Sequence, residues 1–526
     1  MTEQRIVGSI LMSALAASML GVVLGFAGCQ PEASQSANTG GSATGASVGG
    51  SNSATSATGG ASGSNGGSAA SPGGASAGTA GEGGVGGAGD KCAALDRTQP
   101  VDLFLSADDS NSMASPVIAR RLIRAGQYGA GYAGVIRTYE FLNYYDVGYP
   151  RAAAGTLGLF LELRTASAPG DYELQIGVSS PAAARPRKPM NFTFVLDTSG
   201  SMAGQPMVLE QAAVNAIASS LQTGDIASMV TWNDTNTVVL DSLAVTGPGD
   251  PTLLAATAAL TAGGTTNLYS GLTVGYGLAQ KNYSADRLNR VILISDGQAN
   301  TGVTEATVIG DAAALNDGDG IYLVGVGVGD GVNDTLMDAV TDAGRGAYVY
   351  LDQAGEAQRM FVDRFDETMD VAARGVQVEL KLPWYFGLRK FYGEAASSNP
   401  REVEPQHLAP DDAMVFVQDV VACSPEQVVP TDVVEVISRW HVPVTHVAAQ
   451  ASHQATVGEL LEGTQVWQPK GRAIVAYAEA LKKPTHASLT EARRLVDVAD
   501  STEADPDLGE IRQLIDLLLP SYPGST

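Results

Sequence analysis

Between residues 190 and 372, short unbroken apolar runs alternate with longer stretches of helical spacing, and this alternation predicts an α/β sheet with helices on both faces. Phe192-Thr193-Phe194-Val195-Leu196 and Val291-Ile292-Leu293-Ile294 are β-branched, aromatic and continuous, as strands buried on both faces are. In chain order the pattern predicts a helix over 208–222, strands over 226–232 and 237–241, and helices over 252–260 and 269–281. A strand ending at Ser295, a helix over 305–316, a strand over 321–326, a helix over 333–342, a strand over 346–351 and a helix over 354–372 complete the series. On either side the period falls to two, at 156–164 and 172–178 before this region and at 376–382, 413–421 and 433–437 after it. Strands flanking one insertion predict a doubly wound, mostly parallel sheet inserted in a single antiparallel β-sandwich. Beyond residue 450 helical spacing returns over 457–461, 473–481, 487–499 and 508–519, predicting a small C-terminal helical unit.

The first fifth of the 526-residue chain contributes no core. Residues 31–90 are almost entirely Gly, Ser, Ala, Thr and Asn without apolar periodicity. They read as a flexible linker with a reach of about 40 to 45 Å, or as a disordered tail without function. Ahead of them, residues 6–26 form a long apolar stretch that ends in Phe26-Ala27-Gly28-Cys29. Small residues directly before a cysteine resemble the lipobox of bacterial lipoproteins, which implies cleavage there and lipid on Cys29. The alternative is an uncleaved span, because about twenty apolar residues cross a bilayer. Either way the body is exported; Gln30, where an Asp would mark inner-membrane retention, favours the outer membrane. The predicted organisation is a signal peptide (1–29), a linker (30–91), an N-terminal region with the first sandwich strands (92–189), the α/β domain (190–372), the remaining sandwich strands (373–449) and the helical unit (450–526).

Composition refines this picture in two ways. With Cys29 set aside, Cys92 and Cys423 remain as a possible pair that an oxidising exterior permits, the alternative being two free thiols. A bridge between them would close a very long loop, nominally worth about 5 to 6 kcal/mol. A net charge of −25 argues against nucleic acid or anionic lipid as partner, since either would be repelled over the whole surface.

The candidate chemistry lies at the ends of two predicted strands. Asp197-Thr198-Ser199-Gly200-Ser201-Met202 follows the first, and Ser295-Asp296-Gly297 completes the second. Carboxyl ends of neighbouring parallel strands share one crevice, where such sheets bind ligands. Thr266, in the glycine-led loop Gly263-Gly264-Thr265-Thr266-Asn267, opens a predicted helix and could reach the same point. Two carboxylates and three hydroxyls form a hard-oxygen set suited to Mg2+ or Mn2+.

This three-part pattern, with the element order around it, resembles the von Willebrand factor type A domain and its metal-ion-dependent adhesion site. The resemblance implies that Ser199, Ser201 and Thr266 ligate the ion directly while Asp197 and Asp296 hold it through water. The open coordination position would then take a Glu or Asp from a protein partner. Further stretches, Arg120-Arg121-Leu122, residues 137–145 and Gly458-Glu459-Leu460-Leu461, resemble the bacterial lipoprotein group that carries such a domain between an extended N-terminal region and a C-terminal domain. The implied protein is a lipid-anchored envelope protein that binds a protein partner and is not an enzyme.

Two other classes stay open. In a structural envelope component the ion only stabilises the fold. A metal-assisted hydrolase would use Asp197 or Asp296 on an activated water, yet neither loop carries a His, Lys or Glu base, and the histidines at 407, 441, 446, 453 and 486 lie outside the region. Three features have bland readings. Asp108-Asp109-Ser110-Asn111-Ser112-Met113 repeats the acidic motif after another apolar run but lacks its own Thr loop and Asp-Gly, so a capping turn before a helix over 116–125 is expected. Tyr144 and Tyr145 are expected in the core rather than in an exposed patch. The acidic residues of 500–507 are expected in a solvated loop, without the pattern of a calcium site.

Overall fold

The computed structural model describes residues 92–108, 111–298, 310, 313, 320–443 and 445–524. Cys29, the predicted signal peptide and linker, and all but residues 310 and 313 of the helix predicted over 305–316 lie outside the described residues.

The α/β region contains a six-stranded sheet in the order Asn236–Ala244, Ile226–Trp232, Met190–Asp197, Leu288–Ser295, Ile321–Val328, Tyr348–Leu351. The first pair is antiparallel and every other pairing is parallel. All residues of Met190–Asp197 and Ile321–Val328 are buried, which is why their sequences lack the polar alternation of one-sided strands. The helix Leu268–Lys281 lies close against the sheet because Gly271 and Gly275, one turn apart, face Trp232 and Val195 with no room for a Cβ. That close approach sets where the loop ahead of this helix can go.

The region predicted as one helix over 354–372 is three pieces: an α-turn Ala354–Gln358, a π-turn Arg359–Asp363 and a second α-turn Phe365–Met369. The Arg364 N–H reaches back five residues to the Arg359 carbonyl at 2.9 Å. The helix then gives way to the strand Ala373–Leu382. The extra residue in the turn leaves Arg359 over the ring of Tyr144 and beside Asp507.

Two antiparallel sheets are built from strands on both sides of this region. One runs Ala395–Ser397, Val101–Ser106, Ala373–Leu382, Val433–His441, Ala448–Thr456, with Gln406–Leu408 also on Ala373–Leu382. The other runs Phe386–Phe391, Ala413–Ala422, Asp171–Ser179, Gly158–Thr165. Their inward residues, Leu105, Leu174, Ile176, Leu380, Phe416 and Val436 among them, form one hydrophobic cluster. The strand Ala448–Thr456 corrects the boundary expected at residue 450, and helix begins at Val457. Its Ala, Ser, Gln and His side chains carry almost no apolar signal. It is held by register, pairing along its whole length with Val433–His441 at the sheet edge. Cys92 and Cys423 are joined, with their Cα atoms 5.2 Å apart.

Four helices close the chain: Val457–Glu462, Gln468–Lys482, His486–Ala499 and Pro506–Leu518. Val457–Glu462 packs Val457 and Leu460 into the sandwich cluster, while the apolar faces of the other three share one hydrophobic cluster with the α/β region through the N-terminal helices Ala114–Arg124 and Thr138–Tyr144. Tyr144 and Tyr145 are each 1% exposed, edge-on to one another. Arg120, also buried, binds Asp352 and Glu356 at 2.7 and 2.6 Å and donates to the Tyr144 hydroxyl at 2.7 Å. The acidic loop after Ala499 is largely exposed, with one correction: Asp500 is buried and accepts the Ala504 and Asp505 N–H groups, which ties the turn.

Candidate functional site

Asp197 ends its strand opposite Ser295 of the next one, a position fixed by the parallel register that pairs Leu196 with Ile294. The Ser295 hydroxyl donates to Asp197 Oδ2 at 2.6 Å, and the Ser199 N–H donates to Oδ1 at 2.9 Å. The turn that follows brings Ser199 Oγ and Ser201 Oγ to 3.1 Å from each other. Two hydroxyls at that separation can face one small ion.

The loop of Thr266 is tied to this turn by backbone bonds. Gly200 N–H donates to Gly264 O at 3.0 Å, and Gly263 N–H donates to Thr198 O at 2.8 Å. Asn267 caps the following helix by accepting the Ser270 N–H, so Thr266 is set immediately before the helix, buried at 1% exposure. Asp296, one residue past Ser295, is also buried, and its own turn is held by Gln298 N–H on Oδ1 at 3.1 Å. Ser201 and Asp296 line one cleft of about 350 Å³, together with Arg121, Asp330 and Asp352. Arg121 enters from the N-terminal helix and pairs with Asp330 at 2.8 Å.

The structure adds a residue that the sequence reading missed. Glu210, in the helix Gln205–Ser220, is fully buried, and its carboxyl lies against the backbone of Asp197. Burial lifts its carboxyl well above the usual range, and Asp197 and Asp296 push it further. Burial likewise pushes Asp197 up to about 6 against the hydrogen bonds of Ser295 and Ser199, with Asp296 adding to the rise. The signal was readable: Glu210 stands at helical spacing from Met207, Val214 and Ile217, on the buried face of an otherwise apolar stripe.

These three acids bear on whether the residues suit a cation. Three acids buried this close resist ionising together, which is why Glu210 and Asp197 are raised, and positive charge arriving there would favour their ionised forms. Among the described residues no three His, Cys, Asp or Glu side chains group as metal ligands, so a cation here must draw on hydroxyls. The hydroxyl residues of the two tied loops are Ser199, Ser201 and Thr266. The donor chemistry therefore suits a hard divalent ion, with Glu210 standing behind the ligand set.

A mostly parallel α/β sheet with hydroxyl and carboxyl side chains gathered at its carboxyl edge defines a doubly wound domain of the kind that binds ligands at that edge. Residues 191–364 match the family model of the von Willebrand factor type A domain, and the chain carries one. The uncharacterized protein YfbK of Escherichia coli is 26% identical over 299 residues, covering 54% of this chain and 51% of that protein. An uncharacterized protein of Synechocystis is 26% identical over 212 residues, covering 40% and 49%. The chain thus spans about half the length of these two curated relatives. Among solved structures, a von Willebrand factor type A protein from Catenulispora acidiphila aligns at 13% identity and a TM-score of 0.44, over 70% of this chain and 97% of that one.

Proposed function

We propose that this chain is a lipid-anchored envelope protein that captures a protein partner through a divalent cation held at the crevice, Mg2+ or Mn2+. Ser199, Ser201 and Thr266 would hold the ion directly, and Asp197 and Asp296 would act through water. When bound, the ion supplies local positive charge and an open position for a partner's Glu or Asp. The observation that carries the reading is the pair of hydroxyls 3.1 Å apart beside a buried carboxylate that Ser295 orients. A carboxylate approaching a chain of net charge −25 is repelled, so capture needs the cation. Cys29 would anchor the protein, preferably in the outer membrane, with residues 30–91 as the tether. Cross-linking from intact cells with and without Mg2+ tests this. Partners should be lost in chelator and in Asp197→Ala while the domain stays folded; retention under both conditions would rule the metal contact out.

A second reading, a cation that only stabilises the fold, is favoured by Glu210, whose burial disfavours the ion-free domain whatever binds outside. Under that reading Mg2+ raises the melting temperature and chelator leaves the cross-linked partners unchanged.

A further inference from the structure

The opposite end of the parallel sheet reverses the charge of the rest of the molecule. There a cavity of about 510 Å³ opens where Leu288–Ser295 and Ile321–Val328 begin and where the chain passes into Ala373–Leu382. Its wall carries Lys188, Arg287, Arg290 and Arg374, with Asp370 as the acid facing them. None of these four cations makes an ion pair among the described residues, in a chain with 31 basic and 56 acidic residues. In so acidic a protein, unpaired cations around one space are not accounted for by the fold.

Arg290 is the clearest case. It is 3% exposed, donates from Nη1 to the Asn289 carbonyl at 2.9 Å and lies over the Tyr322 ring at 5.0 Å. A buried guanidinium ordinarily has a carboxylate against it. Burial here works against its charged form, and Asp370 is the anionic side chain that offsets this. Burial also raises the Asp370 carboxyl, which weakens it as a counter-charge. Arg374 approaches the same ring, 5.6 Å from its centre, with Nη1 3.4 Å from His446 Nδ1. Arg287 spends one nitrogen on the Gly224 carbonyl. The wall also carries Arg187, which is paired with Asp225 at 2.6 Å, and Asn289; much of the rest is apolar, with Ala182, Pro186, Leu288 and Val371.

We propose that this cavity binds a small organic phosphate, its phosphate held by Arg290, Arg374, Lys188 and Arg287 and its body against the apolar wall. Four cations without an ion pair, facing one half-buried acid, match a dianion better than a monocarboxylate. Guanidinium groups pair with phosphate oxygens in a forked geometry, and the volume is that of a small-molecule site, typically about 300 to 1,000 Å³. The site is independent of the metal crevice, since it lies at the other edge of the sheet.

Calorimetry on the full chain with phenyl phosphate as probe tests this, with inorganic phosphate and benzoate as comparators. Phenyl phosphate should bind at least about tenfold more tightly than benzoate and more tightly than inorganic phosphate, with or without chelator. The double variant Lys188→Gln, Arg374→Gln alters two half-exposed positions and leaves the buried Arg290 in place; it should weaken the probe about tenfold or more. No binding, equal binding by benzoate or inorganic phosphate, dependence on metal, or undiminished binding by the folded double variant would each overturn the assignment.

Discussion

Asp108-Asp109-Ser110-Asn111-Ser112 and Asp197-Thr198-Ser199-Gly200-Ser201 spell the same acid and serine spacing after a strand, yet their surroundings differ. The strand before the first, Val101–Ser106, runs antiparallel to both neighbours, so their chain ends point the other way. Asp108 is used locally: its Oδ2 accepts the Ser112 N–H at 2.7 Å and the Asn143 amide at 2.6 Å, and Asn111 donates to the His407 carbonyl at 3.1 Å. The strand before the second has parallel neighbours on both sides. The next strand therefore delivers Ser295 and Asp296 to the same edge, and the loop of Thr266 is bonded to the turn. The helix Ala114–Arg124 that follows the first motif starts at Met113 without a side-chain cap, so the expected capping turn is only a local turn; the direction of neighbouring strands, more than the motif, separates that turn from a crevice.

The widest separation should appear in cation binding. Asp197→Ala is expected to lower Mg2+ affinity at least about 10- to 100-fold, and Asp108→Ala to leave it unchanged, as measured by calorimetry. An equal loss in both variants would break the comparison. Arg120, on the helix that follows the first motif, should matter to stability instead. Arg120→Ala leaves Asp352 and Glu356 buried without their partner and should cost about 3 to 5 kcal/mol in urea unfolding. Asp108→Ala should cost less, about 1 to 3 kcal/mol, because it takes an acceptor from the buried Ser112 N–H and the half-buried Asn143 amide rather than stranding two charges.

A further effect is a dependence on pH. Burial, with Arg345 and Arg374 nearby, lowers His407 to about 3, and the Gly375 N–H donates to its Nδ1. The unfolded state then binds the extra proton first. This contribution is intact above about pH 6.5 and falls by about 1.4 kcal/mol per pH unit below it, down to the folded value. His407→Gln should remove that slope; identical pH profiles for the two proteins would contradict the burial of a neutral imidazole.

What could be read in advance follows from how each element is stabilised. Phe192-Thr193-Phe194-Val195-Leu196 is legible because a strand buried on both faces must be apolar throughout. That Asp197, Ser199, Ser201 and Asp296 stand at strand ends is legible from the apolar runs before them; their spacing alone is not enough, because Asp108 carries it too. Ala448–Thr456 was hidden, since an edge strand held by backbone pairing needs no apolar alternation. The π-turn at Arg359–Asp363 depends on contacts with Tyr144 and Asp507, far away in sequence. Glu210 left a trace as a charge on an apolar stripe. Arg290 left none, because an arginine at the start of a strand is ordinarily exposed, and only the tertiary structure buries it.

The most direct measurement is anomalous scattering from crystals soaked in Mn2+. A single peak beside the Ser199, Ser201 and Thr266 hydroxyls, and none beside Asp108, is the predicted result. A crevice without a peak at saturating Mn2+, or a peak at Asp108 instead, would contradict it.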